Sequence, residues 1–257
     1  AIEREADLNG LTYDQMMANA GYGLAKVVHA RFGESSDRTI MGLVGSGNNG
    51  GDTLVALTHL AAFGWKTTAA LIRDRQPSDP LLDRLQKAGG RVIDLRQGFG
   101  SANNASAVLE HNFLLDGVLG TGVKLPLKAE IAEIMDSIKR VAESEKPPII
   151  IAVDCPSGVD CDSGAASPAS LKARLTVCMA AVKQGLLRFP AFELVGELEV
   201  VDIGLYEDCR LSSSWEGINT FIPTSRWVRN ALPPRPMDAH KGTFGTALIA
   251  AGSKNYI

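Results

Sequence analysis

The chain has 257 residues, 45% of them hydrophobic, and a net charge of −3. This size and composition suit one large globular domain, or one domain and part of another, with a sizeable core. The charge balance supplies no basic stripe for nucleic acid or an anionic membrane, and no apolar run approaches the about 18 residues of a membrane-spanning helix.

The opening Ala1-Ile2-Glu3-Arg4-Glu5-Ala6-Asp7 is charged and lacks the apolar segment of a secretory signal. The chain does not begin with Met, which leaves a removed targeting peptide open. Thr12 and Gln15 make a capping box. Met16, Ala20, Leu24, Val27 and Val28 then recur at helical spacing, and Gly33 is the expected stop.

From Thr39 to about Leu205 the pattern alternates. Expected strands are Thr39–Val44, Thr67–Ile72, Arg91–Leu95, Asn112–Leu115, Ile149–Val153, Arg174–Met179 and Glu197–Val201. Expected helices are Thr53–Phe63, Leu81–Ala88, Ala102–Glu110 and Ala129–Glu143. Continuous apolar runs such as Ile149-Ile150-Ile151-Ala152-Val153 are those of strands covered on both faces. The alternation predicts an α/β fold: a three-layer, doubly wound, mostly parallel Rossmann-like sheet, preceded by the N-terminal helix.

The pattern changes after Leu205. Residues 206–239, with Pro223, Pro233, Pro234 and Pro236, read as a linker holding a short helix near Ser225–Ala231. Residues 240–257 begin with His240-Lys241-Gly242-Thr243-Phe244-Gly245 and continue as a short apolar strand to Ala251. They read as the first strand of a truncated second domain. The four cysteines, Cys155, Cys161, Cys178 and Cys209, form no C-x-x-C pair, and the histidines show no ligand spacing with them. A zinc site is not expected. Cys178, inside an apolar run, reads as a small buried hydrophobe, and the pattern suits a reducing, cytoplasmic setting.

In an open α/β sheet, ligands sit beyond the carboxyl ends of the strands. Three polar clusters fall there. The first is Gly45-Ser46-Gly47-Asn48-Asn49-Gly50-Gly51-Asp52. It contains the Gly45-x-Gly47-x-x-Gly50 dinucleotide spacing, with Asp74 about where a ribose-binding acid would lie, or it is a tight strand–helix turn. Unpaired amides at a helix start can hold an anion. Asp52 reads either as the N-cap of the following helix or as a ligand contact.

The second cluster is Asp116-Gly117-Val118-Leu119-Gly120-Thr121-Gly122, where Asp116 is a ligand contact or a turn residue. The third is Asp154-Cys155-Pro156-Ser157-Gly158-Val159-Asp160. Burial at the crevice floor would raise the Asp154 carboxyl and suit general acid–base work; the alternative is an Asx-turn. Ser157 is a turn residue, a hydroxyl ligand or a nucleophile, the last without a G-x-S-x-G elbow around it. Asp160 and Asp162 read as solvated loop acids. Asn49, Asp116 and Ser157 offer three hard oxygen donors with a single carboxylate, which favours a monovalent over a divalent cation.

The run N-N-G-G-D, then D-x-x-x-G-T-G, then V-D-x-P-S-G-x-D, resembles the N-terminal YjeF domain of NAD(P)H-hydrate epimerases. Lys183-Gln184-Gly185-Leu186-Leu187 and Val201-Asp202-Ile203-Gly204 also look like that family, and the resemblance spans residues 1–205. The tail with Ala251-Gly252-Ser253 resembles the first strand of the ribokinase-like, ADP-dependent dehydratase half of bifunctional repair enzymes.

The resemblance implies an isomerase that interconverts the R and S forms of hydrated NADH and NADPH. The product would pass to an S-specific dehydratase. It implies substrate contacts at Asn48, Asn49, Gly50, Gly51 and Asp52. It implies phosphate contacts along Gly120, Thr121, Gly122, Val123, Lys124, Leu125 and Pro126, and a reacting-ring contact and proton transfer at Asp154. It implies one potassium ion per subunit, held by Asn49, Asp116 and Ser157. A homo-oligomer is expected, with the amphipathic N-terminal helix as an interface. The chain departs from the family at Thr53, where Gly is frequent, and at Cys155, where an aliphatic residue is usual. The competing readings are a non-catalytic YjeF-type binding module and an NAD-dependent oxidoreductase; the latter lacks a visible Tyr-x-x-x-Lys pair.

Overall fold

The structure, a computed structural model, describes residues 2–76, 78–96, 107–143, 145–205, 225–234, 236–240 and 242–248. By contacts the chain divides into one unit of residues 1–215 and another of residues 216–257, the division falling inside the stretch expected as a linker.

The first unit opens with α1 (Ile2–Leu8), which no sequence signal announced, and α2 (Tyr13–Phe32). The capping box is formed: Gln15 N–H donates to Thr12 Oγ1 at 3.2 Å, and Thr12 N–H donates to Gln15 Oε1 at 2.9 Å. There follow β1 (Thr39–Val44), α3 (Asn48–Ala62), β2 (Lys66–Leu71), α4 (Pro80–Lys87) and β3 (Arg91–Asp94). Next come β4 (Phe113–Gly117), α5 (Ala129–Ala142), β5 (Ile149–Val153), β6 (Leu175–Met179) and β7 (Glu197–Val201). Between β6 and β7 lie short 3-10 turns at Gln184–Leu187 and Ala191–Glu193, also unanticipated. Of the expected helix Ala102–Glu110, residues 102–106 lie outside the described residues, and 107–109 are helical.

The strands form a seven-stranded sheet in the order β3-β2-β1-β4-β5-β6-β7, every pairing parallel. Side chains alternate between its faces. Ile40, Val44, Phe113, Leu115, Ile151 and Val153 pack with Leu24 and Val28 of α2 and Leu54 and Leu57 of α3. Met41, Leu43, Leu114, Ile150 and Ala152 pack with Ile131, Ile134, Met135 and Ile138 of α5. Both faces are covered, which is why the strands read as unbroken apolar runs. Each fully buried leucine or isoleucine contributes about 1.5–3 kcal/mol relative to exposure.

Because the strands are parallel, their carboxyl ends share one edge. The strand order reverses between β1 and β4, where the register pairs Leu43 with Asp116 and Val44 with Gly117. Asp116 in turn lies beside Ala152 of β5. That crevice is the expected ligand position of a doubly wound sheet. Among the described residues, no helix is long and apolar enough to cross a membrane.

Within the second unit, α6 (Ser225–Ala231) forms as expected. Gly245 to Leu248 carry no regular structure, and the rest of the expected strand to Ala251 lies outside the described residues.

Candidate active site

The strand-end clusters converge on a cavity of about 690 Å³. Ser46 to Asn49 and Asp52 line one side, and Val118 to Val123 another. Asp154 and Met179 contribute from the ends of β5 and β6. Sequence reasoning missed the wall supplied by Glu3 of α1 and by Tyr13, Met16, Met17 and Ala20 of α2. The stripe Met16–Ala20 was legible as a buried helix face; that it borders a cavity follows only from the packing of α2 on α3.

α3 begins at Asn48 with Gly47 as its N-cap, five residues before the sequence-based start at Thr53. Asp52 is therefore no N-cap. It lies inside the helix, 8% exposed, and borders the cavity. Burial, with the Asp154 carboxylate and Glu3 nearby, pushes the Asp52 carboxyl up to about 8, and Lys183 only partly offsets this. A carboxyl with that value is mostly protonated at neutral pH.

Asn49 ties the clusters together. Its Nδ2 donates to Leu119 O at 3.0 Å and to Val153 O at 2.7 Å. Leu119 N–H donates to Ser157 Oγ at 2.9 Å. Ser157 donates through N–H to Asp116 Oδ2 at 2.8 Å and through Oγ–H to Asp116 Oδ1 at 2.5 Å. Asp116 and Ser157 are wholly buried and do not line the cavity. Ser157 is thus a lock between loops, not a nucleophile facing substrate. Burial raises the Asp116 carboxyl despite the bonds from Ser157.

Asp154 follows β5 with φ at 66°, in the left-handed region that L-residues other than Asn and Asp rarely occupy. This turn aims the side chain along the sheet edge. Its Oδ1 accepts Met179 N–H at 2.8 Å and forms an ion pair with Lys183 Nζ. Lys183 Nζ also donates to Met179 O at 3.0 Å. Burial disfavours the Lys183 ammonium, but Asp154 more than offsets it, and the lysine is raised. Lys183 had no assigned role in the sequence. It lies just beyond the end of β6, so reading that strand end as a fourth cluster would have found it.

Other expected residues fall elsewhere. Gly50 packs on Gly45: a Cβ there would lie 2.1 Å from Gly45 O. Gly51 packs on Met17, whose Sδ would be 2.7 Å from an added Cβ. These glycines shape the loop and do not line the cavity. Lys124, Leu125 and Pro126 also lie outside its lining, with Lys124 and Pro126 exposed. Asp74 is exposed, paired with Arg96, and borders a smaller cavity, so the large cavity has no ribose-binding acid at that position. Asp160 accepts Ser163 N–H at 2.7 Å within its own loop. Cys155, Cys161 and Cys178 are buried free thiols. Among the described residues no group of three or more His, Cys, Asp or Glu is placed to hold a metal.

The family described as YjeF-related protein N-terminus matches residues 13–185. The chain belongs to this family. The bifunctional NAD(P)H-hydrate repair enzyme Nnr of Thermofilum pendens is 32% identical over 267 residues, covering 100% of this chain and 47% of that protein. An NAD(P)H-hydrate epimerase of Clavibacter michiganensis is 35% identical over 198 residues, 74% of this chain and 82% of that protein. The chain thus spans about half the length of the bifunctional relatives it matches. The crystal structure of yeast ynu0, YNL200c, has the same fold. It superposes with a TM-score of 0.69 at 20% identity over 87% of this chain and 93% of that one.

Proposed function

We propose that the chain is an NAD(P)H-hydrate epimerase, interconverting the R and S forms of hydrated NADH and NADPH, as the N-terminal half of a bifunctional repair enzyme. The observation that carries this reading is a pair of carboxyls of opposite character on one cavity: Asp52, held neutral by burial, and Asp154, ion-paired with Lys183. Environments that differ in this way separate an acid from an anion.

Epimerisation occurs at a ring carbon bearing nitrogen and hydroxyl. Asp52 donates its proton to that hydroxyl as the C–O bond breaks, releasing water and leaving a cationic C=N. The Asp154 carboxylate stabilises this charge. Water adds to the opposite face, and the proton it releases reaches Asp52 through intervening water. In this reading Asp52 takes the proton-transfer role expected of Asp154, whose Oδ1 already accepts from Lys183 and Met179. Asn48, Asn49 and the Gly120–Val123 loop contact the nucleotide.

Asn49, Asp116 and Ser157 fit a potassium ion. Both Nδ2 protons of Asn49 are committed, so its Oδ1 is turned away from those partners. The missing Cβ of Gly120 leaves room beside it, since an added Cβ would lie 3.2 Å from Asn49 Oδ1. Asp116 is a buried carboxyl with no cationic side chain paired to it among the described residues. When bound, the cation supplies a fixed positive charge beside Asp116. A homo-oligomer through the outer face of α2, where Tyr22 is exposed, and a cytoplasmic setting suited to the free thiols complete the reading.

The test presents mixed R and S hydrate with a separate S-specific dehydratase and follows recovery of reduced-cofactor absorbance. Wild type accelerates the slow R fraction, and Asp52→Asn and Asp154→Asn do not. A wild type without effect on that fraction overturns the proposal, leaving a binding module.

A further inference from the structure

The glycine loop is a thin partition. Ser46 borders both the large cavity and a second cavity of about 310 Å³, lined also by Asp74, Arg75, Gln76, Asp79 and Pro80. Arg75, from the loop after β2, spans the gap. Its Nη1 donates to Gly45 O at 2.8 Å and to Gly47 O at 3.4 Å. Its Nε donates to Asp79 Oδ2 at 2.7 Å in a largely buried ion pair. Asp79 is itself fixed, because its Oδ1 accepts Leu81 N–H at 2.9 Å as the N-cap of α4. Gly45 is held on its other side, where its N–H donates to Gly117 O at 3.1 Å.

We infer that Arg75 is a positioning residue of the site, clamping the glycine loop so that Asn48 and Asn49 meet the substrate in a fixed geometry. The inference rests on the epimerase reading for its kinetic consequence, not for its structural one. Carbonyls turned into a nucleotide pocket would repel phosphate and compete for donors. Arg75 holds the Gly45 and Gly47 carbonyls, so the start of α3 can present N–H groups. A guanidinium spreads its donors over a planar fork, so Nη1 reaches the two carbonyls while Nε reaches the carboxylate. Lysine is a single point charge and cannot replace it fully.

The test compares Arg75→Ala, Arg75→Lys and a control, Arg84→Ala, on the exposed face of α4. Amide hydrogen exchange is read by mass spectrometry across the chain, and KM and kcat come from the coupled hydrate assay. Loss of hydrogen bonds to a charged group predicts that exchange over residues 45–52 rises about tenfold in Arg75→Ala while the sheet stays protected. KM rises about tenfold with kcat within about twofold. Arg75→Lys falls between, and millimolar guanidinium lowers the KM of Arg75→Ala. Wild-type exchange and KM in Arg75→Ala overturn the inference. So does a uniform loss of protection across the sheet, which would make Arg75 a general stabiliser. If wild type shows no epimerase activity, the functional reading falls alone, and the exchange measurement still decides on Arg75.

Discussion

Lys183 and Asp154, 29 residues apart, form a largely buried ion pair at the edge of the cavity, with Met179 bonded to both partners. Removing one member of such a pair strands the other charge. Lys183→Met is expected to lower the unfolding free energy by about 3 kcal/mol at neutral pH, read by urea denaturation. In a double-mutant cycle with Asp154→Asn, the losses should fall well short of additive. The raised lysine sets the sign with pH: its contribution is complete below the ordinary lysine value and fades as pH climbs through the higher folded value. Simple additivity would show that the pair carries no coupling.

Asp52 gives a slope of the same sign over a lower pH range. The unfolded chain releases this proton near about pH 3.9, whereas the folded chain keeps it until about 8. Between those values the native state binds the extra proton, so stability falls as pH rises. Asp52→Asn removes that slope. From about pH 5 to about pH 7, wild type should lose up to about 1.4 kcal/mol per unit more than the variant. Parallel pH–stability curves would show that Asp52 ionises normally.

Potassium should reveal itself without any turnover. Asp116 is raised by burial, so its ionisation opposes folding above the ordinary carboxylate range. A cation at Asn49, Asp116 and Ser157 would reverse this by binding only the folded state. Wild type is expected to melt several degrees higher in potassium than in sodium chloride of equal strength, about 1 kcal/mol or more. Asp116→Asn should melt alike in both. Equal melting of wild type in the two salts would remove the support for a selective site.

Thr53 is accommodated by Gly117. A Cβ at 117 would lie 1.9 Å from Thr53 Oγ1, which donates to Asn49 O at 2.7 Å. Gly117→Ala should destabilise by about 1–3 kcal/mol through overpacking. Thr53→Ala in the same chain should recover part of the loss, as judged by thermal melts. A Gly117→Ala protein as stable as wild type would mean that α3 shifts freely against β4.

The sheet was legible because local and global signals agree there. Ile149–Val153 is apolar throughout since helices cover both of its faces, and Thr39–Val44 ends in glycines that no strand would continue. The start of α3 was misread for a definite reason. Asn and Gly are poor helix formers, so Asn48-Asn49-Gly50-Gly51 reads as a turn. It becomes helical because Asn49 is anchored to Leu119 and Val153, and because its glycines fit against Gly45 and Met17. The three strand-end clusters were found by the parallel-sheet rule. Lys183 was passed over because the end of β6 was not read as a fourth cluster, and Glu3 and Tyr13 because nothing in their local sequence encodes a cavity that arises only through packing.

The strand order also fixes when the site can exist during synthesis. Asn49 waits for Val153, 104 residues later, and Asp154 waits for Lys183. Domains fold from the N-terminus as the chain leaves the ribosome, so a nascent chain that has emerged only as far as β5 has its glycine loop but no paired Asp154. Ile203, which also lines the cavity, emerges later still. Any fragment ending before residue 183 would carry the glycine loop, Asp116 and Asp154 without the lysine that pairs with Asp154.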